Sequence, residues 1–198
     1  MRPRTGLRWL VFVLIAAVGA GVDLWTKSWV FRWRGLPGEQ PIYWIWEPYV
    51  GIQTAVNPGA LFGFGAGWGT VFAIFSILAA AGIGLWLVRY GAIESWWLVI
   101  ALGCVMGGIA GNLYDRLGLW NPPPEHPDWA SGVRDWILLQ YGNFTWPNFN
   151  IADSLLVTGA VMLVIHSFAA GTETHHAESE RETAPPPPQN SPQGADDE

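Results

Sequence analysis

Residues 149–168 read FNIADSLLVTGAVMLVIHSF. The uncharged interval between Asp153 and Glu173 is long enough to span a bilayer, which takes roughly 20 residues. Its mouth, FNIADS, carries an amide, Asn150, and an acid, Asp153. Polar groups at the edge of a span are costly and rare, so the stretch predicts a transmembrane helix and raises the question of what its polar pair meets.

Three further intervals are long and apolar enough to span: residues 7–31, residues 68–88 inside an uncharged stretch over 48–88, and the run between Glu94 and Asp115. Composition agrees, with 51% hydrophobic and 13% charged residues, a balance that points to a membrane protein. Fourteen tryptophans fit that reading, because the amphipathic indole gathers at membrane interfaces. The N-terminal MRPRTGLR followed by apolar residues has the look of a cleaved signal peptide. The apolar pattern continues through Trp25, Trp29, Val30 and Phe31, which favours a retained first helix.

The formal net charge of -6 belongs to the tail. From Gly171 on there are seven acids (Glu173, Glu178, Glu180, Glu182, Asp196, Asp197, Glu198) against Arg181, which leaves nine acids and nine bases in residues 1–170. The chain therefore divides into a membrane domain over 1–170 and an acidic, proline-rich tail over 171–198, expected to be disordered. No basic patch supports a nucleic-acid partner. Cys104 is the single cysteine and lies in an apolar run, so it forms no intrachain disulfide and reads as a small buried hydrophobe.

Four spans put both termini on one side, together with Arg2, Arg4, Arg8 and Arg89, which suits a cytoplasmic assignment. Arg32, Arg34, Arg116 and Arg134 fall opposite. Whatever the orientation, the polar motifs meet at one membrane face. The first span ends there with Asp23 and Lys27, the second begins there after Asn57, the third ends there at Asn112, Asp115 and Arg116, and the fourth begins there at Asn150 and Asp153. The loop bearing Asp135 is on the same face.

Each motif also has a plain structural explanation. In DLWTK, Asp23 and Lys27 stand at i, i+4 and suit an ion pair. In NPGALFGFGAGWG, Asn57 suits either a cap for the second helix or a contact to a substrate backbone. In GGIAGNLYDRL, the glycines permit close helix approach, and Gly108, Asn112 and Asp115 share about one face. An amide inside a span wants a partner, so Asn112 is less well explained by packing. Asp153 suits a helix cap, and Asp135 in GVRDWI an ordinary loop acid beside Arg134.

Other catalytic plans fail on spacing. There is no HExxH or comparable cluster, and hence no zinc site. His166 stands twelve residues after Ser154, about 18 Å along a helix, too far for a Ser/His pair. His126 reads as an exposed residue of the Pro-rich loop, and His175 and His176 lie in the tail. What accumulates at the convergent face is carboxylate: Asp23, Asp115, Asp135 and Asp153.

In order, DLWTK, NPGALF, GGIAGNLYDR, VRDW and FNIADS resemble the signature blocks of bacterial lipoprotein signal peptidase, signal peptidase II, over about residues 7–170. The resemblance implies four transmembrane helices with a small extracytoplasmic β-cradle, and an intramembrane aspartic endopeptidase of the inner membrane. Its substrates would be diacylglyceryl prolipoproteins, cut just before the lipidated cysteine. It implies Asp135 and Asp153 as the catalytic pair. Asn57, Gly108, Asn112, Arg116, Asn150 and Ala152 would line or support the site, and Asp23, Lys27 and Asp115 would be structural. It needs neither metal nor cofactor, and implies a monomer whose partners are its substrates and membrane lipid. Residues 35–56, rich in β-branched and aromatic side chains, would supply the cradle.

Two departures stand out. LGLWNPPPEHPDWASGVR, between Arg116 and Asp135, is longer than the family pattern and introduces a second acid, Asp128. Asp135 is preferred because it precedes the apolar run WILL. Trp136 stands where phenylalanine is usual. The rival readings are a small proton-coupled transporter and a structural membrane subunit. A transporter would spread polar residues through the membrane depth, whereas here they crowd one end.

Overall fold

The computed structural model describes residues 3–59 and 67–183. Four long helices, α1 (Pro3–Arg34), α2 (Gly69–Arg89), α3 (Trp96–Arg116) and α4 (Ile151–Thr183), accompany four strands. These strands, β1 (Tyr43–Trp46), β2 (Val50–Asn57), β3 (Val133–Tyr141) and β4 (Phe144–Phe149), form one antiparallel sheet in the order β1-β2-β3-β4. Each helix contains a segment long and apolar enough to cross a membrane: Thr5–Arg34, Gly69–Arg89, Trp96–Arg116 and Ile151–Ala169. Met1–Leu163 form one compact unit, and Val164 opens a second that includes the rest of α4.

The burial pattern is inverted relative to a water-soluble bundle. On α2 the large Phe75, Leu78 and Val88 are 62%, 60% and 72% exposed, while Gly69 and Ala73 are buried. Large apolar side chains facing outward on every turn are stable only against lipid. On α1 the exposed face changes from Leu7, Leu14 and Val18 to Trp25, Trp29 and Trp33. The last three stack on one another, with ring centroids 6.3 and 5.2 Å apart. That aromatic ladder is what an interface favours.

α1 and α3 run parallel. The Arg8 guanidinium lies over the Trp96 ring at one end, and Lys27 reaches Asn112 and Asp115 at the other. The two helices approach closely because Gly107 and Gly111 leave no side chain between them. A Cβ at Gly107 would stand 3.1 Å from the Ala16 carbonyl, and one at Gly111 2.5 Å from Asp23 Oδ2. Beside the Arg8 end sits an all-hydrocarbon core of Phe12, Ile83, Leu87, Ile93, Leu98, Val99 and Leu102.

Three sequence expectations change. The cradle is only half supplied by residues 35–56, since β3 and β4 come from 133–149 and place Asp135 on a strand. Helix α2 starts at Gly69 with Trp68 before it, so Asn57 does not cap it; Asn57 ends β2, and its Oδ1 accepts the Gly59 N–H at 3.0 Å. Residues 60–66 between them lie outside the described set. Helix α4 begins at Ile151, before Asp153. It ends at Thr183, and 184–198, in the acidic tail, lie outside the described residues.

The long connection from α3 to β3 contains a short 3-10 turn, Pro127–Trp129, with His126 stacked on Trp129 at 3.8 Å between centroids. Trp120 anchors its near end, packing edge-on against Phe31 and under the Arg134 guanidinium.

Candidate active site

The start of α4 explains FNIADS. Asn150 precedes the helix, and its Oδ1 accepts the Asp153 N–H at 2.9 Å. In return Asp153 Oδ2 accepts the Asn150 N–H at 3.1 Å. This is a reciprocal capping box, which satisfies backbone donors that a helix start would otherwise leave bare inside the membrane. The Ala152 N–H is satisfied from elsewhere, by Asp23 Oδ1 at 2.9 Å. Asp153 keeps Oδ1 for Asn112, whose Nδ2 donates at 2.8 Å.

Asp135 reaches the same place from the sheet. On β3, side chains alternate between faces, so Arg134 and Asp135 part company despite being neighbours. Arg134 turns to Asp115: its Nη2 and Nε lie 2.8 and 3.2 Å from Asp115 Oδ1, and its backbone N–H donates to Oδ2 at 3.0 Å. Asp135 turns to Asn150, whose Nδ2 donates to Asp135 Oδ1 at 2.6 Å. Asn150 therefore touches both candidate carboxylates, Asp135 through its amide nitrogen and Asp153 through its backbone N–H.

Asp135 is 2% exposed. Burial in a low-dielectric corner, with the Asp153 charge adding to it, pushes its carboxyl up to about 8, against the opposing pull of Lys27 and of hydrogen bonds from Asn150 and Asn57. Asp153, by contrast, accepts two N–H donors at a helix N-terminus, a setting that suits a carboxylate anion.

Both carboxylates line a cavity of about 640 Å³. Polar lining comes from Asn57, Asn112 and Arg116, and apolar lining from Trp146, Phe149, Leu156 and Val157. A cavity with a few convergent polar groups and a long apolar wall is suited to a substrate that is part peptide and part hydrocarbon.

The remaining sequence candidates fall around this corner. Arg116 points at carbonyls: Nη1 donates to Ser131 O at 2.9 Å and Asn57 O at 3.3 Å, and Nη2 to Gly59 O. It thereby ties the end of β2 to the loop before β3. Gly108 lies beneath the first turn of α4, where a Cβ would stand 2.5 Å from the Ala152 carbonyl and 2.7 Å from Leu156 Cγ. Asp23, Lys27 and Asp115 are fully buried and linked, with Lys27 Nζ 2.7 Å from Asp23 Oδ2 and 3.3 Å from Asp115 Oδ2. The i, i+4 pair read from DLWTK is therefore present. Asp128 lies in the 3-10 turn of the loop and does not line the cavity.

Sequence reasoning did not single out Arg134 or Asn148. The alternation of VRDW along a strand is the signal that separates Arg134 from Asp135. Asn148, which lines the cavity and donates to Gln53 O at 2.8 Å, gave no signal in a segment that did not read as a strand. Among the described residues no group of His, Cys, Asp and Glu is arranged to hold a metal ion.

The family model for signal peptidase (SPase) II matches residues 15–169. A lipoprotein signal peptidase of Rhodopirellula baltica is 57% identical over 169 residues, covering 85% of this chain and 76% of the relative. One from Pseudomonas putida is 39% identical over 167 residues, covering 82% and 87%. Among solved structures, a bacterial membrane enzyme superposes with a TM-score of 0.69 at 23% identity, covering 82% of this chain and 90% of that one, which speaks for the fold.

Proposed function

The chain belongs to the signal peptidase II family of lipoprotein signal peptidases, and on that premise we propose that it cuts diacylglyceryl-modified prolipoproteins by aspartic catalysis. Asp135 and Asp153 form the dyad. The observation that carries this reading is the shared cavity: two carboxylates from separate elements, joined through Asn150, face one space with an apolar wall. Membership supports the proteolytic activity and the prolipoprotein substrate; the cavity supports the dyad.

Two nearby carboxylates tend to hold one proton between them. Burial assigns that proton to Asp135 at neutral pH, and the N–H donors suit Asp153 as the anion. Asp153 takes a proton from water as its oxygen attacks the scissile carbonyl carbon, while Asp135 gives its proton to the carbonyl oxygen. When the tetrahedral diol collapses, the C–N bond breaks and the leaving nitrogen takes the proton from Asp153. A diol hydroxyl then returns a proton to Asp135. Both carboxyls end as they began. Asn57 and Asn112 hold the substrate backbone and the base respectively, and the apolar wall takes hydrocarbon.

The cavity is set at the extracytoplasmic face, with the N-terminus and Arg89 on the cytoplasmic side, as the distribution of arginines suggests. Water reaches the bond there while acyl chains stay in lipid. A transporter is not favoured, because the opposite end of the bundle is a hydrocarbon core with no polar path.

The deciding measurement is cleavage of a purified diacylglyceryl prolipoprotein by the protein in detergent. Asp135→Asn and Asp153→Asn are each expected to lose at least about a thousandfold in kcat, within the range of acid–base catalysis, while keeping the wild-type fold. A folded variant of either kind that cuts at the wild-type rate sinks the dyad.

A further inference from the structure

We propose that Lys27, with Asp23 beside it, is a positioning residue for the dyad and acts on Asp153 through Asn112; this rests on the aspartic reading of the site.

Lys27 is fully buried, and its ammonium group meets three oxygens. Two belong to acids, Asp23 at 2.7 Å and Asp115 at 3.3 Å. The third is Asn112 Oδ1 at 2.9 Å. Charge balance does not require that third contact. Asp23 and Asp115 already face two cations, Lys27 and Arg134, so the cluster is neutral without it.

The third contact does something specific. A primary amide has a donor side and an acceptor side, and which side faces Asp153 decides whether Asn112 attracts or repels the carboxylate. Two donors converge on Asn112 Oδ1: Lys27 Nζ at 2.9 Å and Asn150 Nδ2 at 3.2 Å. They turn the oxygen away from the dyad and leave Nδ2 pointing at Asp153 Oδ1, 2.8 Å away. Flipped, Asn112 would set an acceptor against an acceptor and strand the lysine. A cation that never touches the cavity thus fixes the donor that holds the base.

Asp23 completes the arrangement from the backbone side. Its Oδ2 pairs with Lys27, and its Oδ1 holds the Ala152 N–H, next to Asp153 in sequence. One i, i+4 pair on α1 therefore positions both the carboxylate of Asp153, through Asn112, and the main chain that carries it. Neither Asp23 nor Lys27 lines the cavity, so the pair is placed to act on the dyad and not directly on bound substrate.

The experiment compares Asp23→Asn/Lys27→Met with Asp23→Asn/Lys27→Gln. Both doubles keep the buried cluster neutral and retain an oxygen for Ala152. Only glutamine can still donate to Asn112. With a diacylglyceryl prolipoprotein as substrate, the methionine double is expected to lose at least about tenfold in kcat with KM within about twofold, and the glutamine double to recover most of the loss. A merely structural lysine treats the two alike. Equal kcat in the two folded doubles, or a loss carried by KM alone, overturns the proposal. If neither double folds, Asp115→Asn/Lys27→Met and Asp115→Asn/Lys27→Gln, also neutral, are read by the same criteria. Failure of this inference is separable from failure of the dyad. A wild-type protein that does not cut, or an active Asp153→Asn, removes the aspartic reading, whereas equal doubles beside an inactive Asp153→Asn remove only the role of Lys27.

Discussion

Helices α1 and α3 are buried against each other at both ends, but by opposite means. Near Arg8 the seam is hydrocarbon: Phe12, Val99 and Leu102, with Leu87 and Ile93 beside them. Near Lys27 it is charge and amide: Asp23, Lys27, Asn112, Asp115 and Arg134. Hydrocarbon packing is non-directional and depends on volume. A buried polar network is directional, and each member that is lost leaves another stranded. The same two helices therefore have a forgiving end and an unforgiving end, and the chemistry proposed above falls at the unforgiving one, where geometry is over-determined.

The sharpest way to break that contrast is at Asp115, which holds Arg134 through both oxygens and Lys27 through one. Asp115→Leu keeps the branched shape and leaves two buried cations with one acid, Asp23. It is expected to cost about 3–5 kcal/mol in detergent unfolding, and a cost under about 1 kcal/mol would show that the polar end is held by packing after all. Taken per unit of pH, a smaller effect should follow acidity. The Asp135 carboxyl is held up to about 8 in the folded protein, against about 3.9 in an unfolded chain. Between those values the native state keeps a proton that the unfolded state releases. Stability should therefore fall as pH rises through that window, by up to about 1.4 kcal/mol per unit, and level off above about 8. Asp135→Asn should flatten the curve; an unchanged slope in that variant would assign it to another group. Cleavage by the wild-type protein should also decline above about pH 8, as Asp135 loses the proton it donates. Smaller again, Leu102→Met at the hydrocarbon end is expected to cost under about 1.5 kcal/mol and to leave kcat and KM alone. The least effect is expected from shortening the Pro-rich loop by residues 121–125, on the far side of Trp120 from the site. KM for the prolipoprotein should change, while kcat stays within about twofold. Loss of the chemical step with binding intact would give the loop a part in catalysis.

Much of this was legible in the chain. The four spans follow from apolar length, and the convergence of polar motifs at one face follows from counting spans. The Asp23–Lys27 pair follows from its spacing. The sheet was half legible: residues 43–57 have strand composition, but β4 contains Pro147 and Asn148 and joins β3 through a two-residue turn at Gly142, where φ is 58°. Only its pairing with β3 makes it a strand. The partner of Arg134 was not legible, because adjacency in VRDW suggests Asp135, whereas strand alternation sends it to Asp115 across the fold. Nor could any local pattern give Asn150 its double contact, since one carboxylate is three residues ahead on the helix and the other is fifteen residues back on the sheet. Asp153 is indeed part of a helix cap, as its position suggested, but as the fourth residue of a box whose first is Asn150.

The capping box has a consequence in time as well as in space. Asn150 and Asp153 stand at the head of α4, which leaves the ribosome after α1, β2, α3 and β3, the other elements of this corner. A chain on which α4 has yet to be made holds Asp135 without Asn150 beside it and without Asp153. On the aspartic reading proposed above, such a copy has no means to cut whatever shares the membrane with it.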